Sequence, residues 1–268
     1  MLSVVIVHYN TPDDLRRCLD SLVVTALDLE IIVVENDASA APLHDSFPDV
    51  RWLSQPENRW FCGGNNVGIA AATRPYVLLL NPDTVVNRAA LAALLDFITT
   101  HEDYAGATVQ MRYPDGSIQR TCSRIPTPAY LLAVNTPLGL ILPGWRSRLQ
   151  TRHWYADWDR TTSRDVEVLP GSCLLMRRAD LWLDDNLLLY FPEDDIARRF
   201  AGARFRFLAE VSIMHREKAA TQSWLATRVY FRDLLVYARK HHGAAFGLLL
   251  WLLTRPLLAA MAVKRWLA

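Results

Sequence analysis

Short apolar runs alternate with amphipathic stretches over the first hundred residues. Residues 3–7, 30–34 and 76–80 are apolar almost throughout and rich in Val, Ile or Leu, which predicts strands buried on both faces. Between the first two, Leu15, Cys18, Leu19 and Leu22 fall on one face of a helix. Thr11 is placed to cap it, Pro12 suits its first position, and Asp13 and Asp14 favour its positive end. A second helix is predicted over 87–98. Strand and helix alternating in this way describe β-α-β units and a largely parallel sheet.

The pattern weakens over 113–164, where Pro114, Pro126, Pro128, Pro137 and Pro143 punctuate it. This reads as a long loop of the functional or mobile kind. Its apolar part, 129–142, is too short to cross a bilayer. Strands are predicted again at 166–169 and 172–176, a short helix at 194–200, and closing strands within 205–214. Residues 221–242 suit a basic amphipathic helix, with Trp224, Val229, Tyr230, Leu234, Leu235 and Tyr237 interleaved with Arg228, Arg232, Arg239 and Lys240. Residues 244–263 are apolar except near Thr254, Arg255 and Pro256. That length just spans a bilayer, but a central Arg costs roughly 2.5 to 3.5 kcal/mol on insertion scales. An interfacial hairpin or in-plane helix is preferred, with Lys240, Lys264 and Arg265 meeting anionic headgroups. A true span, or a helix pair packed on the core or on a second subunit, are the alternatives.

The length of 268 residues suits one large domain with an appendage, divided here at 1–220 and 221–268. With 51% apolar and 21% charged residues there is material for one deep core, which excludes a disordered tail or a coiled coil. The net charge of +1 conceals an asymmetry: residues 216–268 carry nine basic against two acidic groups, a net of +7, leaving −6 on the first 215. An acidic body disfavours nucleic-acid binding. Cys18, Cys62, Cys122 and Cys173 stand alone, so neither a metal cluster nor a disulfide framework is expected, and a reducing cytosol is. The chain opens on a strand-like run without the features of a signal peptide, which predicts no secretory export.

In open parallel sheets, ligands sit beyond the carboxyl ends of the strands. Here those ends carry His8, Tyr9, Asn10 and Thr11, then Glu35, Asn36 and Asp37, then Asn81, Pro82, Asp83 and Thr84. Each group alone is ordinary turn chemistry; three together suit the grip of a polar ligand. Asp83 is either a cap for the following helix or a ligand for a hard divalent cation, whose remaining positions phosphate oxygens and water would fill. The glycine-rich stretch 58–68 (NRWFCGGNNVG), expected just before the next helix, allows close backbone approach at Gly63, Gly64 and Gly68 and offers the amides of Asn65 and Asn66. It matches neither GxxxxGK[ST] nor GxGxxG, which argues against a nicotinamide-dependent dehydrogenase.

The motifs HYNT, VVENDAS, ENRWFCGGNNVGI, LLLNPDT, PGSCLLMRR and LYFPEDDIARRF, with a late His215, resemble in this order the family-2 inverting glycosyltransferases and their rhamnosyltransferase-like branch. The likeness covers about residues 1 to 240. It implies the α/β GT-A (nucleotide-diphospho-sugar transferase) fold, a Rossmann-like mixed sheet with flanking helices, to which the composition of the tail independently adds C-terminal helices associating with the membrane. It further implies that Tyr9, Asn10, Glu35 and Asn36 hold the nucleoside, and that Asn66, Asn81 and Asp83 contact the nucleotide sugar. The family's DxD motif falls on Asn81, Pro82 and Asp83, so one carboxylate is an amide and Asp83 is left to bind Mg2+ or Mn2+, with His215 approaching the metal or diphosphate. The acids 193–195 lie where the family carries its catalytic carboxylate; one alignment points to Glu193 and Asp195, another to Asp194. A charged helix start is the plain alternative.

The function implied is transfer of a sugar from a dTDP-rhamnose or UDP-sugar donor to a lipid-linked or polysaccharide hydroxyl, on the cytoplasmic face of the membrane, with Glu193 or Asp194 as general base. A homodimer is left open. A non-catalytic sugar-nucleotide-binding or membrane scaffold protein is the alternative.

Overall fold

The computed structural model describes residues 1–217 and 223–267. Lys218, the first two residues of the helix predicted at 221–242, and the side chain of Lys264 lie outside the described residues. In chain order the elements are β1 (Leu2–His8), α1 (Pro12–Val24), β2 (Leu29–Glu35), β3 (Arg51–Ser54), α2 (Trp60–Ala71), β4 (Tyr76–Leu80), β5 (Thr84–Val85) and α3 (Arg88–Thr100). Then follow β6 (Tyr104–Arg112), α4 (Pro128–Asn135), α5 (Leu138–Ile141), α6 (Pro143–His153), β7 (Arg164–Val166), β8 (Cys173–Arg177), α7 (Pro192–Arg199), β9 (Arg204–His215), α8 (Trp224–His242) and α9 (Ala244–Leu267).

Among the described residues the strands form one mixed sheet in the order β3-β2-β1-β4-β8-β6-β9-β5, with β7 paired to β9. β1, β2, β3 and β4 run parallel, β8 runs against β4, and β6 and β9 run parallel to each other and against β8. The C-terminal ends of β1, β2, β4, β6 and β9 therefore meet along one edge, together with the start of β8. On one face α1 and α3 bury Leu15, Leu19, Leu22, Leu91, Leu94 and Ile98; on the other, α2, α4 and α8 bury Ile69, Leu131, Leu234 and Tyr237.

Several expectations change. The glycine-rich stretch is not a loop before a helix but α2 itself. A Cβ on Gly64 would stand 2.8 Å from Val7, and one on Gly68 would strike Val5, so these glycines seat the helix on β1. Thr11 makes no side-chain cap, and α1 starts on Pro12 and its acids. Residues 113–164, read as a long loop, hold α4, α5 and α6. They are knotted by the fully buried Arg160, whose guanidinium donates to the carbonyls of Thr121, Cys122, Trp154, Tyr155 and Trp158. The strand expected at 166–169 ends at Val166, with Val168 bridging Ser123. β3 and β6 were not predicted; β6 is buried along its length but built from small residues such as Ala105, Gly106 and Ala107, which dilute its apolar signal. α8 packs into the main core through Phe231, Leu234, Tyr237 and Ala238, so residue 220 does not mark a packing boundary. α9 lies against α8, and its segment Ala244–Val263 is long and apolar enough to cross a membrane.

Candidate active site

Two poles form along the sheet edge. At the first, β1 and β2 end side by side. Tyr9 is exposed at the rim; Asn10 has a left-handed backbone (φ 53°), and its N–H donates to the Asp37 carboxylate. Burial alone would raise the Asp37 carboxyl, but hydrogen bonds from Ser39 and Asn10 hold it below its ordinary range. Glu35 is buried; it accepts from Ser54 Oγ at 2.6 Å and faces His44 Nε2 at 3.0 Å. Asn36 donates to the Trp60 carbonyl (3.1 Å) and accepts from the Arg59 N–H (3.0 Å), tying the start of α2 to the β2 tip. Asn66 does not join these residues. Its amide donates to the Leu183 carbonyl (2.7 Å) and to Asp185, and accepts from the Leu183 N–H (2.8 Å), which pins α2 to the 183–185 turn.

At the second pole the chain leaves β4, turns through Asn81, Pro82 and Asp83, and pairs as β5 with the end of β9, setting Thr84 opposite His215. Asn87, not Asp83, caps α3, accepting from the Ala90 N–H at 2.9 Å. That turn brings Asp83 Oδ1 to 3.3 Å from His215 Nε2. Gln119, buried and not anticipated, fixes the imidazole. Its amide nitrogen donates to the His215 carbonyl (2.6 Å), so its oxygen faces Nδ1 (2.9 Å), and Nδ1 must carry the hydrogen. In a neutral ring, Nε2 then points a bare lone pair at a carboxylate oxygen. A proton or a cation between them relieves that opposition.

Glu193 and Asp194 occupy the first turn of α7, which begins after Phe191 in a left-handed conformation (φ 67°) with Pro192 in the first helical position. Glu193 lies over Gly171, whose N–H hydrogen-bonds to it; a Cβ on Gly171 would collide with the Glu193 carboxylate. Desolvation pushes the Glu193 carboxyl up to about 7. The same effect, reinforced by the charge of Glu193 and opposed by Arg198, pushes Asp194 up to about 8. Asp195 is turned away and fully buried, held by Lys240 (2.6 Å), His241 (2.7 Å) and Arg199 (3.2 Å).

A cleft of about 430 Å³ unites Glu193, Asp194 and His215, and through His215 it adjoins Asp83. Aromatic side chains wall it: Tyr130, Trp154, Tyr190, Phe191 and Tyr230. None of these was singled out as a site residue, because Tyr130 and Trp154 fall in the segment read as loop and the others are ordinary core types. Tyr9, Asn10, Glu35 and Asn36 lie outside this cleft. From β1 to β9 is four strand spacings, ~19 Å, with the β4 turn bridging them, an arrangement for an elongated ligand. Among the described residues no three His, Cys, Asp or Glu side chains converge as a metal cage. Asp83 and His215 fit a hard cation only where ligand oxygens complete the shell.

The family model described as Glycosyl transferase family 2 matches residues 3–182. The chain is 24% identical over 267 residues to an N-acetylglucosaminyl-diphospho-decaprenol L-rhamnosyltransferase of Mycobacterium tuberculosis, covering 92% of this chain and 83% of that one. It is 25% identical over 210 residues to the low-salt glycan biosynthesis hexosyltransferase Agl10 of Haloferax volcanii, covering 74% of this chain but only 61% of the relative's length. Among solved structures, the mannosyltransferase PcManGT from Pyrobaculum calidifontis, in complex with GDP-Man and Mn2+, superposes with a TM-score of 0.58 at 14% identity, over 89% of this chain and 64% of that one. S. aureus TarS 1-349 superposes with a TM-score of 0.55 at 14% identity, over 90% and 73%. The sheet order and these matches agree with the resemblance read from the motifs: the chain is a glycosyltransferase with the GT-A fold and belongs to glycosyl transferase family 2.

Proposed function

We propose that this enzyme moves a sugar, with inversion, from a nucleoside diphosphate to a hydroxyl of a lipid-linked glycan, and that the sugar is rhamnose carried by dTDP. The single observation that carries the reading is the cleft in which Glu193 and Asp194 of α7 share one cavity with His215, the partner of Asp83. The nucleoside lies at the β1 and β2 tips near Tyr9, Asn10, Glu35 and Asn36, and the diphosphate at the β4 turn beside Asn81 and Asp83. The acceptor hydroxyl enters along the aromatic wall, whose faces suit the apolar side of a sugar ring. It attacks the anomeric carbon from the side opposite the diphosphate: the new carbon–oxygen bond forms as the bond to the diphosphate breaks. Glu193 or Asp194 takes the hydroxyl proton. Asp195 is engaged by three cationic or donor groups and serves to anchor the helix. Asp83 and His215 would hold Mg2+ or Mn2+, which when bound offsets the charge of the departing diphosphate. Support for rhamnose and for a lipid-linked acceptor comes from the name of the mycobacterial relative, and the enzyme would meet such an acceptor at a membrane surface, here proposed to be the inner face.

Thermal melting with dTDP-, UDP- and GDP-linked sugars, with and without Mg2+ or Mn2+, tests this. A ligand at 100 times its Kd adds about 2.7 kcal/mol, which shifts a domain of this size by about 5 to 10 °C. The largest shift is expected from dTDP-rhamnose with metal, and the metal-dependent part should vanish in Asp83→Ala. Stabilisation by none of the sugar nucleotides would sink the reading.

A further inference from the structure

α8 and α9 enclose a groove of about 890 Å³. On α8 the groove is lined by Trp224, Arg228, Arg232 and Arg239, whereas Tyr230 and the buried Tyr237 point the other way, so the groove and the active-site cleft lie on opposite sides of this helix. α9 adds Arg255 and Trp251, and among the described residues no carboxylate lines the groove. Arg232 is paired with Asp233 at 2.6 Å. Among the described residues, Arg228, Arg239 and Arg255 make no ion pair within 4.0 Å. Their placement is specific. A Cβ on Gly247 would strike the Arg239 stem, so that glycine lets Arg239 cross α9, and the Arg255 guanidinium sits 5.3 Å over the Trp251 ring. Beside the groove, Leu248, Leu249 and Leu252 project with between 42% and 54% of their surface exposed.

A concentrated cationic groove beside an exposed apolar ridge matches a bilayer, where a layer of phosphate overlies an acyl phase and Arg and Trp settle at the boundary. Nucleic acid offers phosphate without the apolar phase. A second copy related by a two-fold axis would set arginines against arginines. The reacting diphosphate belongs to the cleft, on the far side of α8. We infer that the α8–α9 groove binds the phosphate headgroups of an anionic phospholipid bilayer through Arg228, Arg239 and Arg255, with α9 lying in the interface and its leucine ridge at the acyl boundary. This deepens the reading of a membrane-linked acceptor, but its test uses neither donor nor acceptor, so the two can fail separately.

The full chain is sedimented with vesicles of phosphatidylcholine alone and of phosphatidylcholine mixed with phosphatidylglycerol. Wild type should partition onto the mixed vesicles about tenfold or more better than onto the neutral ones, and R228E with R239E should bring it down to the neutral level with melting unchanged. If charge reversal unfolds the protein, Arg228→Gln with Arg239→Gln keeps long polar side chains and should lose a smaller but measurable share. Equal binding to both vesicle types overturns the inference, as does unchanged partition of the variants. So does release of bound protein by millimolar inorganic diphosphate, which would mark a soluble phosphate ligand, or a dimer in solution that the variants dissociate.

Discussion

Glu193 and Asp194 line the cleft while desolvation resists the ionisation of both, reinforced at Asp194 by the charge of Glu193. A general base must be deprotonated to act, so turnover is expected to rise with pH through about 7 if Glu193 is the base and about 8 if it is Asp194, with a plateau above. Glu193→Gln and Asp194→Asn assign the role: the true base should lose about 10² or more in kcat. Stability responds in the opposite sense. In the folded chain Glu193 holds its proton to about 7, against 4.5 ordinarily, so its contribution is complete below pH 4.5 and is lost as pH rises through 7. Glu193→Gln is therefore expected to match wild type in acid and to exceed it by about 1 to 2 kcal/mol at pH 8, less than full conversion of the shift because the carboxylate retains solvent on one side. Urea melts at the two pH values measure it. Asp83 was legible from its position after an apolar strand, and the acids 193–195 from the resemblance of the motif around them. Gly171 and Gln119 were not, since a missing Cβ and a buried amide acquire meaning only from the Glu193 carboxylate and the imidazole they touch.

At the scale of elements, α7 is held in place from α8. Asp233, fully buried on α8, accepts the N–H groups of Leu188, Leu189 and Tyr190 at 3.0, 2.9 and 3.0 Å, fixing the segment that leads into the first turn of α7. Lys240 spans Asp184 and Asp195, and Arg198 donates to Tyr237. Asp233→Ala strands three backbone donors and is expected to cost about 3 to 5 kcal/mol, with Asp233→Asn intermediate because its oxygen still accepts; chemical denaturation reads both. The interleaved aromatic and basic pattern of α8 predicted the helix, but that pattern carries no sign of this clamp. A carboxylate 45 residues beyond the loop it binds leaves no local signal.

For the molecule as a whole, the placement of α8 decides what can fold. Burial of Val229, Phe231, Leu234 and Tyr237 is worth roughly 1.5 to 3 kcal/mol each, together comparable with the 5 to 15 kcal/mol of an entire domain. A chain ending at residue 220 is therefore expected to lose its cooperative melt. One ending at Gly243 should keep it at a lower Tm, because among the described residues of α9 only Leu250 and Thr254 are fully inside. Calorimetry on the two truncations distinguishes a shared core from an appendage. The buried interior strands β1, β2 and β4, the helices α1 and α3 and the polar residues at those strand tips were determined by the sequence alone, since periodicity and turn chemistry are local. Tertiary structure decided which tips converge. Sheet order and the β5–β9 pairing bring Asp83 to His215, and Lys240 and His241 of α8 hold Asp195 away from the cleft that Glu193 and Asp194 line, because contacts between residues far apart in the chain depend on packing and carry no spacing in it.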